Sequence, residues 1–430
     1  MTEHDQAESP TEHLESKGVS RRAALGLMGA AGAIGLTGGV AAASHLPGND
    51  SPSKAKVENA SVPFHGEHQA GITTATQNHL YFAAFEMTST ATRAELMSLL
   101  EDWTYAANRM TQGLEVSESG ATGGGPHSPP DDTGEALDLG AHSLTITFGF
   151  GPKLFDKRFG LESKRPQALK ELPSFAFDLL EDQYSGGDLC IQACADDPQV
   201  AVHAIRNLTR IAFGRAQIKW AQLGYGRTSS TSKDQVTPRN LFGFKDGTAN
   251  IFSDEKSDLN DWVWADGSDQ PWMDGGSFLV ARKILMLIES WDRVRLQEQE
   301  NIFGRTKGDG APQSGGKEFA EPNFEMISTA TSAPVIPMTA HMRLANPHQN
   351  NGKRMLRRGY NFVEGNNDLG QIRAGLFFIS YQKSPEQFIA VQNNLATDAL
   401  NEYIRHVGSA IFAVPGGIKK GASVGAGLFT

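Results

Sequence analysis

Cysteine is almost absent: the 430-residue chain has two, Cys190 and Cys194. That excludes a disulfide-stapled scaffold, an iron–sulfur protein and a Cys-rich zinc protein. Their CxxxC spacing, with no His following, also excludes a c-type haem attachment and a redox CxxC, so the pair reads as core thiols. A basic excess is missing too. Thirty-nine Lys and Arg stand against 49 Asp and Glu, a net charge of −10, which argues against a surface built for nucleic acid or an anionic membrane. There is no phosphate loop: Gly310–Lys317 (GAPQSGGK) has the wrong Gly–Gly–Lys spacing, and Glu318 stands where Ser or Thr is required. Nor does His65-Gly66-Glu67-His68 match the HExxH zinc motif. What is present is 39% hydrophobic residues and 46 glycines, enough for a large core threaded by long loops. The length suggests two or three domains.

The N-terminus reads as an address. Ser20-Arg21-Arg22 precedes Ala23–Asn49, a stretch without Asp, Glu, Lys or Arg that is mostly Ala, Gly and Leu and contains Val40-Ala41-Ala42-Ala43. A paired arginine before a mildly apolar run resembles a twin-arginine export signal, cleaved after Ala43. The competing reading is a retained membrane anchor, since the run is long enough to span. Glycines at 26, 29, 32, 35, 38 and 39 dilute it. The twin-arginine route implies the Tat export machinery as a partner and an extracellular, periplasmic or cell-envelope location. It carries proteins already folded, often around a cofactor. Residues 44–68 read as a flexible tether.

Strand and helix patterns then alternate. His79–Met87 is a short apolar run of strand type. Thr92-x-x-Glu95 is a capping box, followed by Leu96, Leu99, Leu100, Trp103, Ala107 and Met110 at helical spacing until Gly113. Leu144–Phe150 and Asp188–Cys194 read as strands, and Asp197-Pro198 opens a helix to about Ala212. Gln217–Leu223 and Gly276–Leu287 read as strands, with a helix over Ser290–Glu300. Gly375–Tyr381 is the last expected strand, before helices at Pro385–Asn393 and Thr397–Val407. Strand–helix–strand units repeated in each half predict an α+β fold of two ferredoxin-like domains, with antiparallel sheets and peripheral helices. The expected domains are 69–230 and 231–430, with the break in the polar stretch Gly226–Pro238.

Three chemistry-bearing residues follow one another in the second half. Asp246 lies in the Gly-flanked turn of NLFGFKDGTANI (240–251), His341 opens HMRLANP, and Arg357-Arg358 sits in LRRGYNF. Each alone has a bland reading: an Asx turn, a core histidine, a solvated arginine pair. Together, and with LTITFGFG at 144–151, DDPQVAVHAIRNL at 196–208, GGSFLVARKI at 275–284, IFGRTKGDGAP at 302–312 and GLFFISYQ at 375–382, their order closely resembles the Dyp-type (dye-decolourising) haem peroxidases. The likeness is strongest to the exported, deferrochelatase/peroxidase-like branch.

The resemblance implies one non-covalent haem b per chain, bound in the C-terminal domain, with His341 as the axial iron ligand. It makes Asp246 the distal acid–base residue and Arg357 the distal cation. A carboxylate can take and return the peroxide proton if it is ionised when peroxide arrives, and a guanidinium favours that ionisation. An aspartate base implies activity skewed to acid pH. Arg305 and Arg343 are candidate propionate contacts, and of Phe377 and Phe378, alternating on a strand, one faces the cofactor. Gly359 stands where some members carry a distal Asn. A metal-bound His usually gives its second N–H to a carboxylate or carbonyl; Glu386 is the guess for that partner. Bulky reductants would be oxidised through Trp220, Trp262, Trp264, Trp272 or Trp291, or through tyrosines. The implied partners are hydrogen peroxide and a reducing substrate, with iron-uptake or metal-trafficking proteins and a homo-oligomer left open. Two other functions remain: deferrochelatase activity, which removes iron and leaves porphyrin intact, and non-enzymatic haem carriage.

Overall fold

The computed structural model describes residues 60–430; the expected signal at 1–43 and most of the expected tether lie outside them. The N-terminal half runs β1 (His79–Met87), α1 (Arg93–Met110), β2 (Thr145–Phe150), β3 (Leu189–Ala195), α2 (Pro198–Ile211) and β4 (Ala216–Arg227). The C-terminal half follows with α3 (Lys256–Trp262), β5 (Ser277–Met286), α4 (Ile288–Trp291), α5 (Leu296–Phe303) and α6 (His341–Ala345). It ends with β6 (Leu356–Arg357), β7 (Tyr360–Asn366), β8 (Ile372–Gln382), α7 (Pro385–Asn394) and β9 (Ile404–Val414).

The strands pair as β2-β3-β1-β4 and as β9-β5-β8-β7, all antiparallel. Each is the ferredoxin-like order, first strand inside and last strand at one flank. The two sheets then join twice, β4 to β7 at Tyr225–Asn361 and β2 to β9 at Phe150–Ala413. Two ferredoxin-like sheets thus close into one barrel.

Local chemistry explains the helices. Thr92 and Glu95 close a reciprocal capping box on α1, whose Leu96, Leu99, Leu100, Trp103, Ala107 and Met110 are all buried. Asp197 caps α2, accepting from Gln199 N and Val200 N, with Pro198 at the first turn. Cys190 and Cys194 are free thiols inside the barrel.

Four expectations need correction. The helix expected over Thr397–Val407 is a 3-10 turn at Ala399–Glu402 running into β9. Leu400, Tyr403, Ile404 and Val407 do recur at helical spacing, but a ten-pair ladder to β5 prevails. Gly375–Tyr381 is therefore not the last strand, and β7, hidden inside the arginine motif, was not expected. The helix expected over Ser290–Glu300 is two, broken after Trp291. The end of the expected tether is packed: Phe64 is buried, and the His65 ring donates to Ile418 O at 3.0 Å. In the polar stretch between the halves, Thr228, Ser229, Ser230 and Thr231 are all buried.

Candidate active site

A cleft lies on the outer face of the C-terminal sheet. Its floor is Arg282, Ile284 and Met286 of β5, Leu376 and Phe378 of β8, and Ile404 and His406 of β9. Alternation along each strand puts these residues on one side. Phe388 and Val391 of α7 and His341 of α6 face them across about 1690 Å³ of atom-free space, open mouth included.

His341 is the first residue of α6. Its Nδ1 is bonded to Asp398 Oδ2 at 2.5 Å, and Asp398 is itself fixed because its Oδ1 caps the following turn through Leu400 N at 2.8 Å. The carboxylate holds the proton on Nδ1 and leaves Nε2 as the free, basic nitrogen. Burial pushes the imidazole pKa down, but the charge and hydrogen bond of Asp398, helped by Asp246 and opposed by Arg357, outweigh it and move it up. The partner of His341 is thus Asp398, not Glu386, which is exposed at the start of α7.

Asp246 is presented by a loop tied from within. Asn240 Oδ1 accepts from Phe242 N (3.1 Å) and Phe244 N (3.4 Å), while Phe242 and Phe244 stack on Trp291 and Phe303. Gly243 and Gly247 take φ of 83° and 89°, which other residues resist. The Asp246 carboxylate accepts from Arg357 through Oδ1 at 2.9 Å and only weakly from Asn240 Nδ2 through Oδ2, at 3.4 Å. Oδ2 is therefore the freer oxygen. Arg357 is held by its backbone: its N–H donates to Asn250 Oδ1 at 2.7 Å and its C=O accepts from Asn250 Nδ2 at 2.9 Å. Two groups 111 residues apart thereby meet in the cleft that holds His341.

The remaining expected residues divide. Arg305 lines the cleft, donating to Gly310 O and Glu318 O; burial lowers its pKa, the Glu318 charge opposing this and the nearby Arg357 adding to it. Arg343 does not line it: its guanidinium is spent on Ile336 O and Phe324 O. Phe378 lines the cleft, while Phe377 packs inside the barrel against Phe82 and Trp220. None of the five tryptophans lines it. Trp220 donates to Gly186 O, Trp264 stacks on His68 and Trp272 on Phe155. Sequence reasoning passed over Asp398, Asn250, and the Lys245–Glu318 pair with Thr248 beside it.

The cleft fits an iron porphyrin. It offers apolar walls for a flat macrocycle, one imidazole with a free nitrogen for iron, and Arg305 as a cation for its carboxylates.

Known proteins resemble the chain over most of its length. The family models "Dyp-type peroxidase, N-terminal" and "Dyp-type peroxidase, C-terminal" match residues 69–226 and 237–419. A protein named deferrochelatase from Yersinia pseudotuberculosis is 35% identical over 423 residues, covering 96% of this chain and 93% of its own. The crystal structure of a DyP-type peroxidase from Streptomyces coelicolor superposes with a TM-score of 0.80 at 38% identity, over 86% of this chain and 98% of that one. Ferric DtpA from Streptomyces lividans gives 0.78, also at 38% identity, with the same coverage.

Proposed function

The chain belongs to the Dyp-type peroxidases, haem enzymes that use peroxide to oxidise a reducing substrate, and we propose that Asp246, Arg357 and His341 divide the work. When bound, haem supplies the iron at which peroxide is reduced and the electrons that a reducing substrate later replaces. His341 Nε2 would hold the haem iron, kept basic by Asp398 on Nδ1. Asp246 Oδ2 takes a proton from one peroxide oxygen and returns it to the other, which leaves as water. Arg357 holds Asp246 in place through Oδ1 and stabilises negative charge developing on the leaving oxygen. The observation that carries this reading is the 2.9 Å Arg357–Asp246 contact in the cleft that presents His341. Rapid mixing of haem-loaded protein with peroxide tests it: Asp246→Ala and Arg357→Leu keep haem and react slowly, while His341→Ala loses iron ligation. Unchanged rates in both distal variants would remove the assignment.

The 35% identity to a protein named deferrochelatase supports a second reading, in which the same cleft releases iron from haem and leaves the porphyrin intact. Incubating loaded protein with a reductant and assaying free protoporphyrin separates the two. The paired arginines Arg21-Arg22 before an apolar, Ala-rich run support export through the Tat machinery to an extracellular, periplasmic or envelope location. Iron-uptake partners belong to that second reading.

A further inference from the structure

Thr228 and Ser229 follow β4, in the segment that joins the two halves. They are 3% and 1% exposed, yet both line the cleft beside Asp246 and Arg357. Two glycines let the backbone close on them. A Cβ on Gly247, the residue after Asp246, would come within 2.9 Å of Ser229 Cα; one on Gly359, two residues after Arg357, would come within 2.7 Å of Thr228 Oγ1. The Thr228–Ser229 peptide is therefore wedged between the loop carrying the carboxylate and the strand carrying the guanidinium. Hydrogen bonds hold it there: Thr228 N donates to Gly359 O at 2.9 Å, and Gly359 N donates to Ser229 Oγ at 3.2 Å.

Ser229 Oγ is thus engaged as an acceptor, whereas Thr228 Oγ1 has no hydrogen-bond partner among the described residues. The atom is not sealed from solvent, so with Thr228 lining the cleft a ligand oxygen can reach its idle hydroxyl. Thr248, the other hydroxyl-bearing threonine of the lining, already donates to Glu318 Oε1 at 3.4 Å. The chemistry of the neighbours also leaves a gap. Ionised Asp246 only accepts and Arg357 only donates, while a hydroxyl does both and carries no charge. It can hold an oxygen in either protonation state without disturbing the charge balance of the ion pair.

We infer that the Thr228 hydroxyl is a third catalytic group of the distal space, hydrogen-bonded to the peroxide oxygens held between Asp246 and Arg357. Ser229 positions it by anchoring Gly359. The inference rests on the assignment of Asp246 and Arg357 as the distal pair.

The test compares ferric, haem-loaded Thr228→Val, which removes the hydroxyl at nearly constant volume, with Thr228→Ser, which keeps it. Fluoride binding, followed by visible absorption, reports a hydrogen bond to an iron-bound ligand without turnover. Rapid mixing with peroxide reports the reaction. The Val variant is expected to bind fluoride about tenfold more weakly and to react with peroxide about tenfold more slowly, as for the loss of one hydrogen bond, and Ser to restore both. Should Val crowd the wedge and expel haem, Thr228→Ala against Thr228→Ser makes the same comparison. Fluoride affinity and peroxide rate both within twofold of the parent protein in the hydroxyl-free variant would overturn the inference. Asp246→Ala run alongside separates the failures. If it too reacts at the parental rate, the distal pair itself is wrong; if it alone is slow, only the role of Thr228 falls.

Discussion

At the scale of single residues, the carboxylate of Asp246 and the carboxylate of Asp398 do different jobs and fail differently. Asp246→Ala removes the proposed proton carrier and is expected to slow reaction with peroxide by about 10²–10⁴-fold while the haem absorbance is retained. Asp398→Asn keeps an acceptor for His341 Nδ1 but removes the charge, so the imidazole becomes a poorer donor to iron. A spectroelectrochemical titration should find a higher ferric/ferrous potential with haem still bound; an unchanged potential would mean that Asp398 only orients the ring. Asp246, His341 and Arg357 were legible because each sits in a short run of distinctive residues. Asp398 was not, because it reaches back 57 residues from an ordinary-looking turn. Thr228 was hidden for another reason. It lies in a polar stretch that reads as surface, and only the folded chain shows it inside.

At the scale of elements, the turn that presents Asp246 depends on backbone that only glycine adopts easily. Gly247 combines a φ of 89° with Ser229 Cα in the path of any Cβ. Gly247→Ala is therefore expected to displace the loop and depress peroxide reactivity, with far-ultraviolet circular dichroism and haem content little changed. Retained full reactivity would show that the loop has slack. Elements whose ends carry their own chemistry were legible: α1 through its capping box and α2 through Asp197-Pro198. β9 was misread because its start continues a helical spacing, and what decides against a helix is β5, more than a hundred residues earlier. Partners that distant leave no mark on local periodicity.

For the whole molecule, buried polar groups tie the halves and set the acid limit. Arg358, fully buried, donates to Thr74 O and Gln77 Oε1 of the N-terminal half from its place beside Arg357. His406 in the cleft floor has its pKa lowered from 6.5 to about 3, by burial and then by the Arg282 charge. Its folded pKa lies below its unfolded one, so its contribution to stability is whole above about pH 6.5 and is lost as pH falls toward 3. The slope from this residue alone approaches about 1.4 kcal/mol per pH unit. His406→Leu should flatten the fall of melting temperature with pH across that window; an unaltered slope would assign the acid limit to other groups. The paired sheets were legible as a repeat of strand–helix–strand units. Their closure was not, because it depends on contacts at the two seams rather than on any segment.

That closure decides what happens to a piece of the protein. A fragment ending at residue 230 would hold β1–β4 complete, yet β2 and β4 would lose the neighbours they meet at Ala413 and Asn361. The few backbone groups paired at those seams, and the apolar inner face packed against the other sheet, would be bared, a template for another copy. Truncation should therefore yield sticky oligomers rather than a soluble half-protein, and light scattering of the 60–230 fragment would reveal them.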